Sequence, residues 1–202
     1  MIKRLFILMV LSFSALSLDA QVIKTSFGIK GAGTGTIIST PKDATFAVSA
    51  GGGGGAFFGV KIANFLGVQA EALYTKQTIN YNYESLDDIS TYHGTQTYIL
   101  IPAVAQLWLG RSVAFEFGVQ KAVGREERII ATNNIPKDAV GLQDYNSIVA
   151  GINFNLGNVG VLDFRYLNGI DGTYSKENPG ATQSFQVSLG FRLFSSKKHL
   201  FK

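Results

Sequence analysis

The sequence predicts an all-β fold, an eight-stranded antiparallel up-and-down transmembrane β-barrel whose lumen is filled by side chains. Three observations predict it. Short connections alternate with long ones, apolar and polar residues alternate at period two between them, and no segment after the first twenty residues approaches the roughly 18 consecutive apolar residues of a membrane helix. The tight turns lie at residues 63–65, 110–112 and 157–159, and the long polar connections lie near 33–46, 80–95, 125–143 and 171–182.

The order of the connections predicts the membrane and the orientation. Antiparallel strands joined in sequence place alternate connections at opposite ends of a sheet, so the short turns share one end and the long loops share the other. This asymmetry is typical of outer-membrane barrels, which have short periplasmic turns and longer extracellular loops. We therefore expect the chain in the outer membrane with both termini in the periplasm.

The N-terminal segment has the order of a secretory signal peptide. Lys3 and Arg4 precede an apolar run at residues 5–16, and Ala20 is the expected cleavage position. The run is too short to span a bilayer, which takes about 20 residues. The expected organisation is a signal peptide at 1–20, an outer-membrane barrel domain at 21–194 and a short basic periplasmic tail at 195–202.

Composition excludes several classes of function. The chain contains no cysteine, so a disulfide framework and a thiolate metal site are both excluded. Its formal net charge is +4, and the basic residues do not cluster as they do on a nucleic-acid-binding face. We expect no nucleic-acid partner and no cofactor.

Period-two alternation separates two faces in each predicted strand. One face carries large apolar residues, and the other carries small residues, amides and charges. A soluble barrel would turn the large apolar residues inward. Here the polar face is rich in glycine and nearly balanced in charge, as buried ions must be, which favours lipid outside. The predicted lumenal polar network consists of Lys30, Gln69, Glu71, Gln106, Glu116, Gln120, Asp163, Arg165, Gln186 and Arg192.

The fourth segment, residues 98–109, is apolar on both faces, so its phase is poorly determined. Regular alternation points Pro102 and Trp108 inward. Because proline has no N–H to donate, Pro102 predicts a bulge or a locally missing ladder bond. After a bulge, Trp108 would turn to the periplasmic interface, where an indole is favoured. Both placements of Trp108 remain open at this point.

Six short segments follow one another along the chain. They are Phe-Gly-Ile-Lys-Gly at 27–31, Val-Gln-Ala-Glu-Ala-Leu-Tyr at 68–74, Tyr-Ile-Leu-Ile-Pro at 98–102, Phe-Glu-Phe-Gly-Val-Gln at 115–120, Asp-Phe-Arg-Tyr at 163–166 and Phe-Gln-Val-Ser-Leu-Gly-Phe-Arg at 185–192. Together they resemble the PorT-like outer-membrane β-barrel family of Bacteroidota. The resemblance covers nearly the whole mature chain and implies an eight-stranded barrel.

Two positions depart from the family pattern. Family members tend to carry an acidic residue where this chain has Leu100, so one lumenal charge is missing. Many members also finish at the aromatic end of the last strand, which serves as the assembly signal, whereas this chain continues to Lys202. We therefore expect the barrel assembly machinery to recognise Phe191 and Leu193 as an internal version of that signal.

No motif predicts a catalytic or nucleotide site. A phosphate loop connects a strand to a helix and carries a Gly-Lys-Ser/Thr signature. The glycine-rich stretches at 31–36 and 51–55 have neither feature, so we assign them to the barrel wall and loop roots. His93 lies near Asp87, Asp88 and Ser90, but a serine nucleophile needs a histidine base that is itself oriented by an acid. Sequence proximity does not supply that geometry, and we interpret His93 as a loop residue.

The sequence thus predicts a structural or interaction protein of the cell envelope, accessory to protein secretion, and not an enzyme. Its expected partners are outer-membrane lipid, the barrel assembly machinery and an envelope or secretion partner reached through the long loops. Two alternatives are a rim hydrolase acting on lipid A or peptides and centred on His93, and a small passive channel.

Overall fold

Eight antiparallel strands form one closed barrel in the computed structural model, which confirms the predicted fold. The structure describes residues 22–39, 47–62, 64–85, 88–131, 146–170 and 181–199. Each strand pairs with its neighbours in sequence, and β8 closes the barrel against β1. The strands are β1 (Val22–Ser39), β2 (Ala47–Ile62), β3 (Leu66–Ser85), β4 (Asp88–Leu109), β5 (Val113–Ala131), β6 (Asn146–Leu156), β7 (Gly160–Gly169) and β8 (Ala181–His199).

The three tight turns lie where the sequence predicts them, between β2 and β3, β4 and β5, and β6 and β7. Each contains a residue in the left-handed backbone region, with φ of 56° at Asn64, 73° at Gly110 and 67° at Gly157. Glycine adopts this conformation without steric cost, and asparagine tolerates it better than most residues. We call the end of the barrel that carries these turns the turn end, and the opposite end the loop end.

Strand pairing continues into all four predicted long loops, although it enters the fourth, at 171–182, only from Ala181. β3 and β4 stay paired as far as Ser85 and Asp88, so the expected loop at 80–95 is wrong. The expected starts of the first and third loops are also wrong, because β1 runs to Ser39 and β5 to Ala131. A barrel strand crosses the bilayer with about 9–11 residues. Beyond the bilayer a strand no longer needs one large apolar face, so polar residues become frequent there while backbone pairing continues.

Burial alternates along every strand in the predicted phase. On β5 the lipid-facing Phe117 is 60 % exposed while the neighbouring Glu116 is 0 % exposed. Large apolar side chains cover the outside of all eight strands in this way, and polar or small residues face the lumen. A closed barrel leaves no sheet edge, so backbone groups stay paired where lipid cannot satisfy them.

The fourth strand keeps regular alternation through its proline. Pro102 and Trp108 are buried, whereas Ile101 and Leu107 are exposed, so the inward placement of Trp108 is the observed one. Pairing between β3 and β4 is interrupted beside Pro102 and resumes in the same register, as a missing ladder bond requires. The nearest register shift, between β4 and β5, lies at Thr97–Ile99.

The last strand reaches further than the barrel domain expected at 21–194. β8 continues to His199 and pairs there with the first residues of β1, so residues 195–199 are part of the wall. A register shift opposite Phe27 and Gly28 accommodates this extension. The expected signal peptide at 1–20 lies outside the described residues.

Candidate functional site in the barrel lumen

Five charged side chains meet in the lumen towards the turn end, and we call them the ionic layer. They come from four different strands: β1, β3, β5 and β7. Inward phase brings them together because side chains of alternate residues share the lumenal face of each strand. The layer consists of Lys30, Glu71, Glu116, Asp163 and Arg165. Each of these side chains is at most 1 % exposed.

The two cations of the ionic layer each bridge two carboxylates. Lys30 Nζ lies 2.6 Å from Glu71 Oε1 and 2.6 Å from Asp163 Oδ2. Arg165 lies 2.6 Å from Glu71 Oε1 through Nη2 and 2.7 Å from Glu116 Oε2 through Nε. The ion pairs of Lys30 therefore join β1 to β3 and to β7, and those of Arg165 join β7 to β3 and to β5. In each case the two joined strands are not neighbours in the barrel. Charge-assisted pairs of this kind can offset the loss of hydration that burial imposes.

Neutral polar side chains donate further hydrogen bonds to the carboxylates. Gln69 Nε2 donates to Glu71 Oε1 at 2.7 Å, and Gln106 Nε2 donates to Glu116 Oε1 at 2.8 Å. Asp163 accepts from Asn153 Nδ2 and, at 2.8 Å, from Ser188 Oγ. These donors hold the acids in fixed orientations, as a buried carboxylate requires.

Glycines make the room that the long charged side chains need. Gly151 on β6 lies directly between Glu116 on β5 and Arg165 on β7. A Cβ on Gly151 would lie 2.9 Å from Arg165 Cγ and 2.6 Å from the carbonyl oxygen of Phe164. The missing side chain therefore lets Glu116 and Arg165 meet across β6.

The formal charges balance when Arg192 is included. The ionic layer has three carboxylates and two cations, and Asp163 also attracts Arg192 electrostatically. Arg192 itself lies nearer the turn end, where Nη2 donates to Asn155 Oδ1 and Nη1 lies 3.5 Å from the Asn158 carbonyl oxygen. Lys24 and Lys61 are half-buried on the same side of the layer, so positive charge is in excess there.

Two further layers fill the lumen towards the loop end. An apolar layer comes first. It consists of Leu73, Tyr98, Leu100 and Ala122 in one cluster and Val104, Val149 and Leu167 in a second. A loop-side polar layer follows and consists of Thr36, Ser49, Gln77, Gln96 and Ser184, all but Ser184 buried.

The space left inside is small. A cavity of about 10 Å³ remains between the apolar and loop-side polar layers, and both Gln120 and Gln186 line it. One water molecule needs roughly 10–15 Å³. An eight-stranded barrel has an interior that side chains can fill, and here they fill it along the described part of the lumen.

The structure separates the predicted network into three groups. Lys30, Gln69, Glu71, Gln106, Glu116, Asp163 and Arg165 meet in or against the ionic layer. Gln120 and Gln186 are buried nearer the loop end, and Arg192 lies at the turn end. The prediction omitted Asn153 and Ser188, which donate to Asp163. Both lie on the inward face of their strands, but alternation alone does not show which inward polar residues contact a carboxylate.

The described residues contain no group of three or more His, Cys, Asp or Glu side chains arranged to hold a metal ion. They also contain no helix of the length and hydropathy needed to cross a bilayer. The side chain of His93 lies outside the described residues, although its backbone is part of β4. His93 is therefore a strand residue and not a loop residue.

Solved structures with a similar fold are small outer-membrane barrels. Neisserial surface protein A, NspA, matches 84 % of this chain and 99 % of its own at 11 % identity and a TM-score of 0.53. The fold is that of a small outer-membrane β-barrel. The heparin-analogue complex of Ail from Yersinia pestis covers 85 % of this chain and 99 % of its own at 18 % identity and a TM-score of 0.45. OprG from Pseudomonas aeruginosa covers 89 % and 97 % at 12 % identity and a TM-score of 0.39.

No protein-family model and no curated protein sequence matches the chain. The likeness to NspA at 11 % identity establishes the fold alone. The location in the outer membrane also follows from physical chemistry. A closed barrel with an apolar belt outside and polar residues inside is stable only against lipid. The protein is therefore an eight-stranded outer-membrane barrel.

Proposed function

We propose that the protein is a non-enzymatic interaction protein of the cell envelope that contacts its partner through one end of the barrel. The observation that carries this proposal is the filled lumen. Three successive layers of side chains occupy it, and the gap between two of them is about 10 Å³. Along the part of the lumen that the structure describes, these layers leave no room for a solute to pass, so the passive-channel alternative is not favoured.

The outside of the barrel supports the same proposal. Its lipid-facing wall presents Phe, Leu, Ile and Val, with Phe117 60 % and Leu193 63 % exposed. Specific recognition of a soluble or envelope partner takes polar groups and shape, and these are found at the two ends. The long connections of the loop end are the expected contact for an extracellular partner, and the extended β8 is the expected contact on the periplasmic side.

We further propose membership of the PorT-like family and a role accessory to protein secretion. The support is that the six resembling segments fall in β1, β3, β4, β5, β7 and β8, and that five of their six charged residues lie in the ionic layer, namely Lys30, Glu71, Glu116, Asp163 and Arg165. Deleting the gene is expected to lower the amount of exported protein at the cell surface. Unchanged export would contradict the secretion role and leave the barrel assignment intact.

Photo-crosslinking in living cells tests the interaction proposal. A photoreactive residue at Asn133, in the third long connection, or at Lys198, near the end of β8, should capture a discrete protein partner from one end. The matched control is the same residue at Phe117, which faces lipid and should give no protein adduct. No adduct above the Phe117 background from either end would contradict the proposal, as would sustained conductance in a planar bilayer.

The rim-hydrolase alternative is tested separately. In the reconstituted barrel, His93→Ala should leave every measured activity at the level of the parent, because the proposal assigns no chemistry to it. A lipid A or peptide hydrolase activity that is present in the parent and lost in His93→Ala would replace the proposal by the enzymatic one.

A further inference from the structure

The turn end concentrates positive charge without acidic residues. The segments that the structure describes near this end, residues 22–29, 57–62, 64–70, 104–115, 153–162 and 189–199, contain no Asp or Glu. They contain the basic residues Lys24, Lys61, Arg111, Arg192, Lys197 and Lys198. Asp163 attracts Arg192 from the ionic layer, and basic residues outnumber acidic ones in this described part of the barrel.

Backbone register places three of these lysines in one row. Lys24 on β1 pairs directly with Lys61 on β2 and with Lys197 on β8. Like charges directly opposite each other on paired strands destabilise a sheet. Lys61 is indeed repelled by both Lys24 and Arg192. An anion that lies against such a row would offset this repulsion.

Trp108 supplies an independent observation at the same place. The residue is 7 % exposed, and its Nε1 finds no hydrogen-bond partner among the described residues. A Cβ on Gly67 would lie 3.1 Å from this nitrogen, so the indole N–H lies over the bare backbone of Gly67. Gly67 pairs with Lys61 and therefore continues the row of lysines by one strand.

Lys61 connects the two observations, because its Nζ lies 4.0 Å from the centroid of the Trp108 ring. The ammonium is held by the π face of the indole, next to the edge that carries the unpartnered N–H. A buried N–H without an acceptor costs free energy. An oxyanion at this position would accept from the N–H and from the lysines together.

We infer that Lys24, Lys61 and the indole N–H of Trp108 form a binding site for a phosphate-type oxyanion at the periplasmic mouth of the barrel. A phosphate group has three strong acceptor oxygens and up to two negative charges, which matches several cations and a neutral donor better than the two oxygens of a carboxylate. The group can come from a lipid headgroup of the inner leaflet, which lies at the level of the turns, or from a soluble phosphate.

The chain contains 1 tryptophan, so tryptophan fluorescence reports on Trp108 and on binding at this site. The mature barrel in an uncharged detergent is titrated with inorganic phosphate while sodium chloride holds the ionic strength constant. The expected result is a saturable change in Trp108 emission as Lys61 leaves the ring. No saturable change, or an equal change with chloride alone, overturns the site.

Two variants and a matched control identify the residues. Lys61→Gln and Lys24→Gln should each weaken apparent phosphate affinity by about tenfold or more, the loss expected for one charge-assisted hydrogen bond. Lys121→Gln removes an exposed cation from the lipid-facing side of β5 and should not change the affinity. Parent-like affinity in both folded lysine variants, as judged by heat-modified gel mobility, overturns the assignment.

The indole N–H is tested by labelling Trp108 with ¹⁵N, which gives a single indole signal in the NMR spectrum. Phosphate should shift that signal progressively to saturation, with the same dissociation constant as the fluorescence titration. This second measurement uses the parent barrel and so does not depend on the folding of a variant. An indole signal that stays fixed through the titration excludes the N–H from the site.

Bilayer discs distinguish the two sources of the phosphate group. If the source is a lipid headgroup, discs of phosphatidylglycerol should show the bound emission without added phosphate, and discs of phosphatidylcholine should not. If the source is soluble, both kinds of disc should need added phosphate. Discs in which neither lipid nor phosphate changes the emission overturn the site.

Discussion

The ionic layer and the loop-side polar layer occupy the same lumen but are built differently. In the ionic layer, Arg165 alone reaches Glu71 and Glu116 on two strands that are not its neighbours. In the loop-side layer the contacts are between neutral groups: Thr36 on β1 contacts Ser184 on the neighbouring β8 at 2.8 Å and accepts from Gln77 on β3 at 2.9 Å. The apolar layer separates the two.

This difference indicates where the stability of the barrel depends on specific residues. A neutral hydrogen bond contributes about 1 kcal/mol net, so members of the loop-side layer can be lost one at a time. Removing one partner of a buried ion pair costs about 3–5 kcal/mol, because the other charge stays buried and uncompensated. The ionic layer should therefore tolerate single substitutions far less than the loop-side layer.

The largest effect is expected from Arg165→Ala. It leaves Glu116 without its cation and Glu71 with Lys30 only, and we expect a loss of about 3–5 kcal/mol in the free energy of unfolding. The measurement is heat-modified gel mobility of the refolded barrel across a urea series. Arg128→Ala, in the outer part of β5, is the control and should change the free energy by less than about 0.5 kcal/mol. Equal urea midpoints for the two variants would mean that Arg165 contributes no more to the stability of the barrel than Arg128 does.

A smaller loss is expected from Gly151→Ala. The new methyl group would meet Arg165 Cγ at 2.9 Å and the Phe164 carbonyl oxygen at 2.6 Å, and overpacking of this kind costs about 1–3 kcal/mol. Gly33→Ala is the matched control, because a Cβ on Gly33 would meet nothing within 4 Å. If both variants unfold at the same urea concentration, Glu116 and Arg165 do not depend on the gap at Gly151.

The smallest loss is expected from Gln77→Ala in the loop-side polar layer. The substitution removes the donor to Thr36 Oγ1, which keeps its contact with Ser184, and should cost about 1 kcal/mol. Gln183→Ala, at an exposed position of β8, is the control and should be neutral within about 0.5 kcal/mol. A loss as large as that of Arg165→Ala would remove the distinction between the two layers.

Orientation decides which layer lies nearer the periplasm. Single cysteines at Asn133, in the third long connection, and Asn158, in the turn between β6 and β7, can be labelled with a membrane-impermeant reagent. We expect Asn133→Cys to react on intact cells and Asn158→Cys to react only after permeabilisation. The reverse pattern would place the ionic layer on the extracellular side and remove the periplasmic phosphate site.

The sequence was sufficient for the turns and for the phase of the strands, because both follow from local chemistry. Asn64, Gly110 and Gly157 permit the left-handed backbone of each turn, and lipid imposes alternation on every strand. The lengths of the strands could not be predicted in the same way. Outside the bilayer, as along β3 and β4 up to Ser85 and Asp88, the paired strands are rich in polar residues, and that composition resembles a loop.

The membership of the ionic layer was harder to predict than the inward phase of its residues. Charges on inward positions could be read from alternation, but which of them meet depends on the stagger between strands around the barrel. Glu71 and Arg165 are 94 residues apart and lie on strands that are not neighbours, yet they are in contact. Local patterns contain no information about that stagger, and they equally gave no reason to separate Arg192 from the layer.

The most direct test of the central claim, that a mutually paired ionic layer fills the lumen, is the urea midpoint of Arg165→Met alone and combined with Glu116→Gln. Arg165→Met leaves the carboxylate of Glu116 buried without a cation, and Glu116→Gln then removes that charge. The account predicts that the double variant unfolds at a higher urea concentration than Arg165→Met, because coupled residues are not additive. A double variant that loses the full sum of the two single effects would contradict the pairing of Arg165 with Glu116 and, with it, the ionic layer.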